Sequence, residues 1–343
     1  VKTRITELFG IEYPIICGGM LWLATPELCA AISNAGGLGN ITACNYDTGE
    51  ELRQAIHQAR ELTSKPIGIN ITLLPSMRFT EEIFDDFFKV CAEEKVEVIE
   101  VSGRPAVKYL DMLHKAGVKV MHKVGAVRHA LNIEKYGYDA VIAAGIEEGG
   151  HPLNDDVTTM VLVPRIAESV KIPVIATGGI ADGRGLAAAL SLGAEGVLMA
   201  TRFIATKECA VHPKIWEELI QRKENDTTLI CKSVGLQGRA LKNKLAQQIL
   251  DLESKGGGLQ EMIPLLAGQK AKVAWETGEV DEAALMVGQS IGLIKEVLTC
   301  KELIESMVEE ARTIFANNLA RFFNCTGCKR GRCKRGRFFL SFA

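Results

Sequence analysis

The chain holds 343 residues in 37.3 kDa, with 47% hydrophobic and 24% charged side chains and 33 glycines against 10 prolines; this ordinary globular composition excludes disorder, collagen and a small disulfide-stapled scaffold. The formal charge of −2 conceals a split, because residues 321–343 carry seven basic and no acidic side chains and leave −9 on residues 1–320. An acidic body excludes a global attraction for nucleic acid or an anionic membrane, and only the tail offers a local one.

Apolar, often β-branched runs alternate with amphipathic ones from the N-terminus onward. Strands are predicted at Pro14–Cys17, Leu38–Ala43, Pro66–Ile71, Glu97–Glu100, Val118–Met121, Ala140–Ala143, Pro173–Thr177 and Gly196–Met199. Helices are predicted between them at Pro26–Ala35, Glu50–Leu62, Glu81–Ala92, Ala106–Lys115, Ala126–Lys135, Thr159–Glu168 and Gly185–Leu192. Eight such units predict a TIM-type (β/α)8 barrel of the α/β class, filled inside by side chains and carrying its working groups on loops after the strand C-termini. An open doubly wound sheet is the rival. Against it, no GxGxxG turn follows the first strand, and Gly36, Gly37 and Gly39 precede the second strand rather than opening a helix.

Beyond Lys207 the period breaks. Few strand-like runs, a Gly256-Gly257-Gly258 interruption and polar helices predicted at Trp216–Glu224 and Gly238–Leu252 describe a mainly helical lid inserted after strand eight. Val280–Leu319 is predicted helical and returning to the barrel, while Phe322 onward has no clear pattern. The organisation expected is a barrel over 1–206, a lid and substrate domain over 207–270, C-terminal helices over 271–320 and a basic, cysteine-rich tail over 321–343.

Ten cysteines, with no signal-like leader and no apolar run long enough to span a membrane, lead to the expectation of a reducing, cytoplasmic setting. Seven of them sit in apolar or helical surroundings and are expected to be small buried hydrophobes. Cys325, Cys328 and Cys333 alone have a metal-like spacing among basic residues, but three thiols do not complete a zinc or iron-sulfur site, and no metal ligand is assigned.

Glycines placed directly after strands mark the candidate site. Gly178 and Gly179 follow strand seven, and Ala200 and Thr201 follow strand eight. In a barrel these adjacent loops are where a phosphate is gripped by backbone N–H groups and a hydroxyl, so a phosphorylated cofactor is expected there. One glycine loop alone would be a plain turn; two adjacent loops outweigh that explanation. Strand one ends in Cys17-Gly18-Gly19-Met20, and Asn70 and Lys123 stand at the ends of apolar runs, a mixture suited to a flat ring with a cation beside it. After strand six comes Glu147-Glu148-Gly149-Gly150-His151; the glycines let the loop approach a ring closely, and His151 is the preferred acid-base residue. His57, His114 and His129 fall in helices, His212 in the lid, and His122 after strand five. Glu147 and Glu148 are expected at the solvent surface.

The segments Lys2-Thr3-Arg4-Ile5-Thr6-Glu7-Leu8-Phe9-Gly10-Ile11-Glu12-Tyr13-Pro14-Ile15, Gly18-Gly19-Met20, Ser33-Asn34-Ala35-Gly36-Gly37-Leu38-Gly39, Glu148-Gly149-Gly150-His151, Ala176-Thr177-Gly178-Gly179-Ile180 and Thr201-Arg202-Phe203 resemble the nitronate monooxygenase (2-nitropropane dioxygenase) family, including its FMN-dependent enoyl-acyl-carrier-protein reductase II branch. The resemblance implies an FMN barrel in which Gly18, Gly19, Met20 and Asn70 surround the flavin, Gly149 and Gly150 approach it, Gly178, Gly179, Ala200 and Thr201 hold its phosphate, and His151 is the active-site histidine. Cys17, Glu148 and Pro152 depart from the family pattern, so the substrate pocket is expected to differ.

The resemblance leaves two chemistries on one cofactor: oxidation of a nitronate, placed slightly ahead, and reduction of an enoyl thioester by NADH or NADPH. A non-enzymatic FMN-binding protein stands behind both. A small-molecule nitronate or thioester is the expected partner, with an acyl carrier protein and a homodimer left open and neither nucleic acid nor membrane expected. Basic residues of the lid segment Cys231–Asn243 are candidates to meet a substrate phosphate or an acidic carrier.

Overall fold

The computed structural model describes residues 1–74, 78–266 and 268–322. Eight parallel strands, β1 (Ile15–Cys17), β2 (Gly39–Thr42), β3 (Ile67–Leu73), β4 (Val98–Gly103), β5 (Lys119–Val124), β6 (Ala140–Ala144), β7 (Val174–Thr177) and β8 (Gly196–Met199), form one sheet in the order β1-β8-β7-β6-β5-β4-β3-β2. The sheet closes on itself where Leu38 N–H donates to the Ile15 carbonyl and Cys17 N–H to the Leu38 carbonyl, each at 2.9 Å. It is the expected TIM-type barrel.

Alternation along the strands builds two layers. Ile16, Val98, Met121, Ile142, Ile175 and Leu198 form an inner cluster with Ile5, Phe9 and Ile11, so the short N-terminal helix Arg4–Phe9 packs into the barrel interior. Ile15, Ile99, Val120, Val141 and Val174 belong instead to the larger layer beneath the surrounding helices, which contains the fully buried Phe87 and Phe88. That inside-outside pattern fixes what the upper ends of β4 and β5 present. Glu100, two residues beyond Val98, and Lys123, two beyond Met121, continue the inward column toward the C-terminal rim.

Close helix-strand packing depends on Gly39 at the start of β2. An added Cβ there would lie 2.0 Å from the Cys29 carbonyl oxygen, a backbone atom of the helix Pro26–Asn34 with no freedom to yield. Gly39→Ala is therefore expected to destabilise the fold by about 1–3 kcal/mol, measured as a lowered urea midpoint; an unchanged midpoint would contradict this packing.

Past the barrel, the helix Pro213–Gln221 leads to an antiparallel hairpin, β9 (Thr227–Ile230) and β10 (Gly238–Leu241), followed by helices Lys244–Ser254, Leu259–Leu266 and Gly268–Thr277. Ile230, Ala240, Leu245, Ala246, Ile249 and Met262 give this lid its own apolar cluster. The helix expected over Gly238–Leu252 is thus corrected: Gly238–Leu241 pairs as a strand, and the helix starts only at Lys244, where the Asn243 side chain caps Ala246 N–H at 2.8 Å. Val280–Leu319 is likewise helical only in part. Before the helix Cys300–Phe322 there is a single 3₁₀ turn, Gln289–Leu293, because this run crosses the barrel rim and spends its backbone donors there: Gly288 N–H reaches Thr201 and Gln289 N–H reaches the Glu147 carbonyl. The C-terminal helix returns to the barrel, with Glu310 accepting the Gly183 N–H at 2.8 Å.

The seven cysteines of the described residues are all free and buried. Cys325, Cys328 and Cys333 lie outside the described residues. No described helix is long and apolar enough to cross a membrane.

Candidate active site

A cavity of about 260 Å³ opens at the C-terminal rim. Gly18, Gly19, Asn70, Gly149, Gly150, His151, Gly178, Gly179, Ala200 and Thr201 all line it. Met20 lines an adjoining chamber of about 340 Å³, which also takes in Leu265, Leu266 and Trp275 of the lid together with Ala284 and Met286. The two spaces share Gly19, Asn70, Thr72, Leu74, Gly149, Gly150, His151, Ala200 and Thr201. Every candidate residue chosen from the sequence is therefore brought to one rim.

The residues present fit a phosphorylated flavin. Among the described residues, the N–H groups of Gly179, Ile180, Ala200 and Thr201 meet no protein acceptor, so two adjacent loops hold orphaned donors of the kind an anion satisfies. Gly178 has φ +103°, a conformation that glycine adopts without strain, and its Cβ would stand 2.8 Å from Thr159 Oγ1. Thr201 Oγ1 accepts the Gly288 N–H at 2.9 Å, leaving its hydroxyl proton to donate. On the lid side, Gln237 Oε1 is buried in the cavity lining and has no hydrogen-bond partner among the described residues.

The His151 loop is held by the lid. Gly150 and Arg239 exchange backbone hydrogen bonds, N–H of Gly150 to the Arg239 carbonyl at 3.1 Å and N–H of Arg239 to the Gly150 carbonyl at 2.6 Å. The Arg239 side chain, buried, donates to the Ile146 carbonyl and to Thr227 Oγ1, each at 3.0 Å. Among the basic residues of Cys231–Asn243, Arg239 is thus spent inside the lid and on the His151 loop. His151 exposes its ring to the cavity, while the surrounding walls and then the Lys123 ammonium hold its pKa down to about 4. At neutral pH the imidazole is uncharged, an acceptor on one nitrogen and a donor on the other.

Contrary to expectation, Glu148 is buried and Glu147 is half-buried. Glu147 accepts the Thr159 N–H and hydroxyl at 3.0 Å and ties the His151 loop to the next helix. Glu148, 8% exposed, accepts a 2.9 Å hydrogen bond from Lys123 Nζ. Burial outweighs the ammonium, so its carboxyl titrates above the usual carboxylate range. Both His122 and Lys123 lie within β5 rather than after it; His122 turns outward against Tyr138. Cys17 is completely buried, and burial pushes its thiol well above the ordinary value, which removes it as a nucleophile.

The residue that sequence reasoning missed is Glu100. It lines the cavity at 3% exposure and accepts Gly19 N–H and Asn40 Nδ2, each at 3.0 Å. A signal was present: an acid inside the apolar run Val98-Ile99-Glu100-Val101 is costly to bury without a purpose.

Comparison with known proteins agrees with this geometry. The family model described as nitronate monooxygenase matches residues 2–310. FabK from Thermotoga maritima superposes with a TM-score of 0.87 at 41% identity, over 94% of this chain and 99% of that one. A nitroalkane oxidase from Streptomyces ansochromogenes superposes with a TM-score of 0.80 at 25% identity, over 92% and 100%. In sequence, (3aS,4S,5R,7aS)-5-hydroxy-7a-methyl-1-oxo-octahydro-1H-indene-4-carboxyl-CoA dehydrogenase of Rhodococcus jostii (strain RHA1) is 33% identical over 347 residues, 91% of this chain and 96% of the relative.

Proposed function

Because the chain belongs to the nitronate monooxygenase family and is an FMN-dependent oxidoreductase of its nitronate monooxygenase and enoyl reductase type, we propose that it reduces an enoyl thioester with electrons from NADH or NADPH. The observation that carries this reading is the rim shared by the two cavities. A lid-covered apolar chamber opens on the same residues that face the polar cavity, so an acyl group seated against Leu265, Leu266, Trp275 and Met286 brings its unsaturated carbons to His151. A small nitronate has no use for such a chamber. This reverses the order implied by the family resemblance, and the similarity to FabK and to a coenzyme A thioester dehydrogenase supports the reversal.

In this reading Gly178, Gly179, Ala200 and Thr201 hold the cofactor phosphate, and Gly18, Gly19, Met20, Asn70, Gly149 and Gly150 border its ring. FMN bound there supplies the two-electron exchange between a nicotinamide and the substrate β-carbon. His151, neutral above about pH 4, donates its ring N–H to the thioester carbonyl oxygen, where negative charge develops, and orients the α-carbon for protonation. Lys123 neutralises Glu148, so this buried carboxylate of the cavity lining does not repel that charge. The lid closes the apolar chamber against water.

Steady-state assays separate the branches. Loss of an enoyl thioester that depends on NADH or NADPH, with little oxygen consumed on addition of an alkyl nitronate, is expected; rapid oxygen uptake with the nitronate and an inert thioester would reject the proposal.

A further inference from the structure

Three titratable groups converge beneath the cavity where one cation serves two acids. Lys123 Nζ is committed to Glu148 Oε1 at 2.9 Å. Glu100, on the neighbouring strand β4, has no ion-pair partner among the described residues; Gly19 N–H and Asn40 Nδ2 both donate to its Oε2, and the Asn70 side chain also hydrogen-bonds the carboxyl. A proton on the opposite oxygen, Oε1, would leave the two bonds on Oε2 in place. With all three groups ionised the cluster carries −1, and with Glu100 protonated it carries none. The other elements around Glu100 bring no competing charge: Cys17 on β1 is a neutral thiol, and β2 and β3 present the uncharged amides Asn40 and Asn70.

We propose that Glu100 is a charge-compensating residue of the cofactor site, taking up one proton from the cavity when the bound flavin is reduced. This rests on the flavin reading above. Transfer of a hydride from a nicotinamide dinucleotide breaks a donor C–H bond and delivers two electrons and one proton; the donor leaves oxidised, and one negative charge is added at the rim. A cluster at −1 opposes that charge and a neutral one does not. The Glu100 carboxylate answers by forming an O–H bond with a proton from cavity water, and it releases that proton when the electrons leave for the substrate. Its acidity is placed for this. Burial raises its pKa to about 7, held partly back by Lys123, the Gly19 N–H and Asn70 and pushed further by Glu148. His151, at about 4, is already neutral in this range and does not compete.

The test is the reduction potential of the FMN-loaded full chain against pH, for wild type and Glu100→Gln, a substitution that keeps the acceptor oxygen and the shape. For a two-electron couple each additional proton adds about 30 mV per pH unit to the slope. Between about pH 7 and the higher pKa that Glu100 takes in the reduced protein, the wild-type potential is expected to fall more steeply than that of Glu100→Gln by up to that amount, with the slopes converging on either side of this window. Parallel lines in both proteins would overturn the role of Glu100 while leaving the flavin reading intact. A wild type that takes up no FMN would overturn both. Should Glu100→Gln fail to retain FMN, proton uptake by the wild type decides, followed with an indicator dye during anaerobic photoreduction one pH unit above the Glu100 pKa. More than one proton per two electrons supports the inference, and one or fewer overturns it.

Discussion

Turnover of an enoyl thioester is expected to fall by about 10²- to 10⁴-fold in His151→Ala, with FMN content unchanged. The two halves of this expectation have separate causes. His151 reaches the cavity at the end of a loop whose position is set elsewhere, by the Gly150–Arg239 backbone pair and by Glu147 on Thr159. Removing the imidazole leaves that framework and the donors of the phosphate loops in place, and takes the His151 ring N–H away from the shared rim. The pH dependence is equally specific. With its pKa held down to about 4, His151 is expected to contribute no limb near its ordinary value. Unchanged turnover in His151→Ala would reject its role, and loss of flavin together with turnover would make it structural.

Lys123→Met is expected to destabilise the protein by about 3–5 kcal/mol, because it leaves Glu148 buried without its cation. The side chains of the pair are 16% and 7% exposed, so solvent does little to replace the missing charge. The loss should shrink as pH falls, since the Glu148 carboxyl already titrates above its usual range and takes a proton more readily once Lys123 is gone. Adding Glu148→Gln to Lys123→Met should recover part of the stability. Urea midpoints of the two single variants and the double variant measure the coupling; a Lys123→Met protein as stable as wild type, or a double variant no better than the single, would contradict a buried pair.

The barrel was legible because each strand is an apolar, β-branched run bounded by turn residues, and the rim glycines were legible because they directly follow those runs. The hairpin was not. Gly238-Arg239-Ala240-Leu241 contains good helix formers, and its strand conformation is set by pairing with Thr227–Ile230 and with Gly150, 88 positions before Gly238 in sequence. Glu147 and Glu148 read as a solvated loop because their partners, Thr159 and Lys123, come from other units of the barrel. Glu100 escaped notice for a related reason. Its strand was recognised, but only the inward column that continues from Val98 places the acid on the cavity floor, and only the closed barrel brings Gly19 and Asn40 to it. Local pattern fixes which elements form; the partners of buried polar groups are fixed by closure.

Rapid mixing under anaerobic conditions tests the central claim most directly. FMN-loaded protein is mixed first with NADH or NADPH and then with an enoyl thioester, and flavin absorbance is followed in each step. The expected result is bleaching by the nicotinamide and recovery on addition of the thioester, both fast enough to support turnover. Bleaching by an alkyl nitronate in the absence of nicotinamide, with no recovery on adding the thioester, would contradict it.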